Sequence, residues 1–221
     1  MLLFAAASGL QAQCDNLFFS EAAEGSSNNK YLEIYNPTSA AIDLSGYAYP
    51  SVSNAPDNGE GNYDFWNNFA EGATIEAGGV YIIAHPSADA SISAVANETF
   101  TFLSNGDDGF MIVQGDEASY VQIDAVGDWN GDPGSGWEVA GVSDGTMDHT
   151  IVRKSTVQSG NAGDWITSAG TNADDSEWIV LDQNDWTNLA IHSFDGCGAA
   201  VEGCTNPNAS NYNVDATQDD G

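Results

Sequence analysis

The sequence predicts an all-β protein built as a β-sandwich, and three observations carry that expectation. Short runs rich in β-branched and aromatic residues recur along the 221-residue chain, with almost no helical periodicity between them. Clusters of Gly, Asn, Asp, Ser and Pro, such as NPTS, SNGDDG, GDWNGDPGSG and SDGT, separate those runs. Six Trp, eight Tyr and nine Phe within a 42% apolar composition supply the bulk that a two-layer core needs.

The predicted strands begin with NLFFSE (16–21), KYLEIYN (30–36) and GGVYIIAH (78–85). They continue with ETFTFLS (98–104), GFMIVQ (109–114) and YVQIDAV (120–126). In KYLEIYN, Tyr31, Glu33 and Tyr35 fall on one face and Leu32 and Ile34 on the other, so one face is expected to point inward. Asn105-Gly106 offers the positive φ angles of a tight hairpin turn. The loop at 50–72 is long and polar but carries Phe65, Trp66 and Phe69, so it is expected to pack back on the body. Residues 124–192 hold five tryptophans among Asp, Gly and Ser, which reads as a Trp-pinned extension with HTIVRKS (149–155) and SEWIVL (176–181) as strands. Arg153 and Lys154 lie in this acidic stretch, where their simplest role is to neutralise neighbouring carboxylates.

Charge limits the partners. Three basic residues, Lys30, Arg153 and Lys154, stand against 33 acids, for a formal charge of −30. Such a field repels phosphate backbones and anionic lipid headgroups, so direct, metal-free nucleic-acid binding is disfavoured. Divalent cations would offset the self-repulsion, and carboxylate and amide oxygens are the ligands Ca²⁺ prefers.

The opening MLLFAAASGLQAQ, residues 1–13, has the apolar core and small-residue end of a secretory signal, with cleavage near Ala12 or Gln13. It lacks a basic leader, so the true start is expected upstream. No later stretch approaches the roughly 18 uncharged apolar residues of a membrane span. The mature protein is expected to be secreted or held at the cell surface.

Three cysteines leave one thiol without an internal partner. Pairing Cys14 with Cys197 would close both ends of one domain and is the favoured reading; a local Cys197–Cys204 loop is the alternative. Cys204 opens a tail, residues 203–221, that has no strand pattern and is nearly all Asn, Asp, Thr and small residues. The chain therefore divides into a leader (1–13), a sandwich domain (14–197), and a linker with an appended module (198–221).

Two stretches are candidates for Ca²⁺. Asp128, Asn130 and Asp132 place oxygens on alternate residues, as calcium loops do, but the bidentate Glu of a complete loop is missing. In the tail, Asn206, Asn208, Asn211, Asn213, Asp215, Asp219 and Asp220 form a second oxygen-rich run. The competing reading of both is a set of solvated Asx turns. Catalysis has thin support: His85, His149 and His192 are scattered, and neither a zinc spacing nor a nucleophile elbow is present. Asp148-His149 beside Ser155 can be imagined as part of a triad, but sequence adjacency says little about geometry. Tyr63, Trp66 and Trp129 are candidates for stacking on sugar rings, against burial as the commoner fate.

The block from 16 to 49 resembles the opening of a lamin tail domain of the kind found in secreted bacterial proteins. The resemblance rests on Ser20-Glu21, the Gly/Ser/Asn turn at 25–29, Lys30 to Asn36, and the corner Ile42-Asp43-Leu44-Ser45-Gly46-Tyr47. Residues 123–157 and 176–197 are similar to the carboxy-terminal half of these exported domains, which often accompany secreted nucleases and other hydrolases. The resemblance implies an immunoglobulin-like sandwich used for binding or attachment. It also groups Glu21, Lys30, Glu33 and Asn36 near one edge, with Lys30 paired to a carboxylate and the other three fixing the turn or holding a cation. The tail is similar to Cys-flanked repeats of exported marine Bacteroidetes proteins. It lacks the Ser-Cys expected after Gly221, which implies that the chain stops inside a larger protein.

The function expected from all this is a non-catalytic exported binding or cell-surface attachment module, assisted by calcium. Its ligand would be a glycan, a protein or another cell-surface component. The alternatives are an accessory or catalytic part of a secreted nuclease or phosphatase, and a purely structural spacer.

Overall fold

The computed structural model describes residues 14–57, 59, 61–197, 204, 206, 209, 211 and 212. Its strands are β1 (Phe18–Glu24), β2 (Lys30–Tyr35), β3 (Ile42–Asp43), β4 (Tyr47–Ala48), β5 (Ser51–Val52) and β6 (Thr74–Ile75). They continue as β7 (Val80–Ala84), β8 (Glu98–Thr99), β9 (Gly109–Asp116), β10 (Ser119–Val126), β11 (Thr150–Arg153) and β12 (Trp178–Leu181). Two short helices, α1 (Ala90–Ser93) and α2 (Trp165–Ala169), are N-capped by the carboxylates of Asp89 and Asp164.

Six strands form one sheet in the order β12-β11-β1-β2-β7-β8, antiparallel except for β7 and β8. A second sheet has the order β10-β9-β4, with β5 also on β9, and β3 and β6 form a separate ribbon. Phe19, Leu32, Ile34, Tyr81, Ile83 and Ile151 of the first sheet pack in one cluster with Phe110, Ile112 and Ile123 of the second. The fold is thus the all-β, immunoglobulin-like sandwich. Among the described residues, no helix is long and apolar enough to cross a membrane.

Both outer faces are covered as well, which the alternation in KYLEIYN does not reveal. All of Tyr31 to Tyr35 is buried. Leu32 and Ile34 join the inter-sheet core, while Tyr31 packs with Ala23, Ile82, Ala84 and Ile92 beneath Trp186, Leu189 and Ala190. Residues 182–197 therefore form a strap across the outside of the first sheet. On the second sheet, Tyr63, Trp66 and Trp129 cover Ala48, Val52, Met111 and Val113. The 50–72 loop packs back through these rings and through Phe69, which is buried against Tyr49 and Tyr81.

Two local expectations are corrected. Asn105-Gly106 is not a hairpin turn: β9 pairs with β10 through the Asp116–Ser119 turn. Gly106 sits in the preceding loop at φ 114°, where an added Cβ would lie 2.6 Å from Met147 Cβ. There Ser104 Oγ accepts from both Gly106 N and Asp108 N and curls the segment. ETFTFLS yields only the two-residue β8, because Glu98 is taken by the hydroxyls of Tyr49 and Tyr81 and by Ala70 N–H. Beyond it the chain leaves the sheet, and Phe102 stacks on Phe65, with ring centroids 4.8 Å apart.

Candidate functional site

The first sheet carries the ionisable groups that the fold has spent most to bury. Two β-bulges set them up. Between Phe19 and Glu21 the β1–β2 register shifts, and between Gln122 and Asp124 the β10–β9 register shifts. Phe19 N–H turns to Asp124 Oδ2 at 2.7 Å, and Asn161 N–H reaches Asp124 Oδ1 at 2.8 Å. Arg153 Nη2 meets Asp124 Oδ2 at 2.5 Å, both side chains being fully buried. The same guanidinium donates from Nε to Phe19 O, and from Nη1 to Glu177 Oε2 and Ser168 Oγ. Its flat face lies 4.2 Å from the Trp178 ring centroid. One side chain thus ties β1, β10, β11 and β12 together, across both sheets.

Arg153 does neutralise carboxylates, whereas Lys154 does not: its ammonium donates to the carbonyls of Ala173 and Ser176. Lys30 pairs with Glu24 at 3.2 Å, a surface-edge contact worth at most about 1 kcal/mol. The grouping of Glu21, Lys30, Glu33 and Asn36 at a sheet edge is corrected, because β2 is an interior strand between β1 and β7. Lys30 and Asn36 lie at opposite ends of it. Asn36 Nδ2 fastens the following loop by donating to Ala40 O, Ile75 O and Glu76 O.

Glu21 and Glu33 are direct cross-strand partners, 1% and 0% exposed, under the strap. Tyr31 donates its hydroxyl to Glu21 Oε1, while Glu21 Oε2 is buried without a partner. Ser20 Oγ donates to Glu33 Oε1 at 2.8 Å, and Ala190 N–H, from the strap, donates to Glu33 Oε2 at 2.7 Å. Burial pushes Glu21 from 4.5 up to about 8; the Tyr31 hydrogen bond opposes the rise, and the charges of Glu33 and Asp185 add to it. Burial likewise lifts Glu33 to about 7, against the lowering effect of Ser20 and Ala190. At the other end of the strap, His192 packs with Phe18, Tyr35 and Phe194, and burial lowers its ring to about 4.

These shifts give opposed stability limbs. The folded protein keeps protons on Glu21 and Glu33 that the unfolded chain releases above about pH 4.5, so stability falls as pH rises toward 8. Unfolding lets His192 take up a proton below 6.5, so its own contribution to stability falls as pH drops from there toward 4 and partly offsets the gain from the two carboxyls. The two limbs overlap from about pH 4.5 to 6.5, where two carboxyls outweigh one imidazole, so thermal melts are expected to peak at about pH 4 to 4.5 and to decline from there to pH 8. The Glu21→Gln/Glu33→Gln double variant should flatten the alkaline limb; an unchanged decline from pH 6 to 8 in that variant would contradict the assignment.

Cys14 and Cys197 are joined by a disulfide with a Cα–Cα distance of 5.8 Å. It pins the end of the strap beside the start of β1. Cys204 is a free thiol.

The candidate calcium residues of the main body stand in turns. Asp128 Oδ1 accepts from Asn130 N, Asp132 Oδ1 from Gly134 N, and Asn130 Oδ1 from Gly61 N across to the 50–72 loop. Among the described residues, no three His, Cys, Asp or Glu side chains are grouped to hold a metal ion. Of the tail candidates, Asn206 and Asn211 are described, whereas Asn208, Asn213, Asp215, Asp219 and Asp220 lie outside the described residues. The imagined triad does not assemble: the Asp148 carboxylate accepts from Gln183, and His149 Nδ1 is 2.8 Å from Leu181 O. Of the proposed stacking rings, Trp129 is 5% exposed and so buried, while Tyr63 and Trp66 are half-buried.

Sequence reading missed the Asp124–Arg153 junction, the Glu21–Glu33 pair and His192. The available signal was an acid inside an otherwise apolar strand, as in QIDAV and YLEIY. No curated protein matches the chain. The model of the Lamin Tail Domain family matches residues 11–127, more than half of the 221 residues, and stops just after β10, before the strands β11 and β12 that complete the first sheet. With that match and this sandwich, the chain belongs to the lamin tail domain family.

Proposed function

We propose that the chain is an exported, non-catalytic recognition module that attaches to a cell-surface or extracellular ligand, with Ca²⁺ bridging or bracing its acidic loops. Residues 1–13 serve as its export leader and 198–221 as a separate appendage of the bacterial Cys-flanked type. The observation that carries this reading is the fate of the three basic side chains. Lys30, Arg153 and Lys154 are all engaged within the molecule, by Glu24, by Asp124 and Glu177, and by the carbonyls of Ala173 and Ser176, so none of the three is left to meet an anionic ligand in a chain of formal charge −30. Such a surface selects neutral or cationic ligands, or anionic ones only through divalent ions.

Two experiments test the two clauses. The purified chain should bind whole-cell envelope fractions or extracellular polysaccharide, and should show no turnover of DNA or phosphoesters with Mg²⁺, Ca²⁺ or Mn²⁺. Turnover abolished by His149→Ala would overturn the non-catalytic clause. Calcium at about a hundred times its Kd should stabilise by about 2.7 kcal/mol, raising Tm by about 5–10 °C, with the gain lost in Asp128→Ala/Asp132→Ala. A Tm indifferent to both Ca²⁺ and EDTA would remove calcium from the account.

A further inference from the structure

The strap does more than cover the first sheet. Between its second half and the outer side of β11 and β12 lies an open cleft of about 200 Å³. Val152, Ile179 and Leu181 give it an aliphatic wall, with Ile179 left 48% exposed. Around that wall stand Ser155, Asn188, His192 and Ser193. Among the described residues, none of these four side chains forms a hydrogen bond within the protein, and His192 Nε2 is buried without a partner. Buried polar atoms are rarely left in this state, so an unpartnered imidazole converging with three more polar side chains on one cleft is a reason to look for a ligand.

The lining chemistry narrows the class. No carboxylate lines the cleft, in a chain where 33 of the 221 residues are acids. The one cation in its wall, Arg153, is fully buried and committed to Asp124, Glu177, Ser168 and Phe19 O. Neither a cation nor an anion therefore finds a counter-charge there. His192 is held neutral by burial among Phe18 and Tyr35, and with Nε2 closed off from solvent its imidazole offers the cleft Nδ1, a donor or an acceptor according to the tautomer. Two hydroxyls, one amide and a neutral imidazole beside an aliphatic surface suit a ring with C–H groups on one face and hydroxyls around its edge.

We propose that this cleft binds a neutral hydroxylated ring of the size of a single sugar unit, with His192 and Asn188 as its specificity-determining hydrogen-bonding groups and Val152, Ile179 and Leu181 beneath the ring. The proposal rests on the reading of the chain as a recognition module and gives that module its ligand class. A one-ring ligand in an open cleft binds with a roughly millimolar Kd.

The test uses the full, oxidised chain titrated with the methyl glycosides of glucose, galactose and mannose, read by the NMR resonances of the His192 ring and by calorimetry. At least one glycoside should shift those resonances saturably. His192→Phe, which keeps the aromatic packing but removes both nitrogens, and Asn188→Ala should each weaken binding at least tenfold while leaving Tm nearly unchanged. Saturable binding that both variants retain in full would overturn the site while leaving the recognition reading intact. Binding of envelope material with no glycoside moving His192 would overturn the site in the same way. If neither envelope material nor glycosides bind, the recognition reading itself fails.

Discussion

Arg153→Met should lose about 3–5 kcal/mol of folding stability, the largest single-residue effect expected in this protein. The methionine fills much of the same volume and retains contact with Trp178, so a lost cavity is not the cause. The loss comes from Asp124, which is 0% exposed and would keep its backbone donors but have no counter-charge. Glu177 is less affected because its side chain remains 35% exposed. Arg153→Lys should recover only part of the loss, since one ammonium cannot reach Phe19 O, Ser168, Glu177 and Asp124 from a planar fork. Urea denaturation checks both variants: the midpoint should fall with an unchanged slope. A midpoint within experimental scatter of the native protein would remove the junction from its central place.

Opening the disulfide should have the next largest effect. Cys14 and Cys197 are 183 residues apart in sequence, and closing a loop of that length removes up to about 5 kcal/mol of chain entropy from the unfolded state. Cys14→Ser/Cys197→Ser, or reduction of the native protein, should lower Tm by about 10–20 °C. The strap should be first to loosen, because it belongs to neither sheet and is held by side-chain packing of Trp186, Leu189, Ala190, His192 and Phe194 and by scattered hydrogen bonds such as Ala190 N–H to Glu33, rather than by a strand ladder. Equal melting in oxidising and reducing buffer would contradict this.

Much of the sandwich is legible in the sequence because strand formation is a local matter of side-chain type and turn chemistry. GFMIVQ and YVQIDAV announce themselves through β-branched and aromatic residues, and both are strands. What is not legible is set by contacts between distant segments. Glu33 reads as the polar face of an alternating strand, yet it is buried by Ala190, 157 positions away. Asn105-Gly106 carries a hairpin signal, but the strand next before it, β8, pairs with β7 rather than with β9, and Ser104 folds the segment into a loop instead. Arg153 resembles one of two adjacent surface cations; only the two bulges, which bring Phe19 and Asp124 to it, make it internal. The polar groups around His192 come together for the same reason, since Ser155 belongs to the segment after β11 while Asn188, His192 and Ser193 belong to the strap.

Hydrogen–deuterium exchange of the Ala190 amide, followed in the oxidised and the reduced protein, tests most directly the claim that residues 182–197 are a latched part of the sandwich, closing over Glu33 and framing the His192 cleft. The oxidised protein should protect that amide nearly as well as those of β2, and reduction should release it while β2 stays protected. Rapid exchange of Ala190 with the disulfide intact would contradict the account.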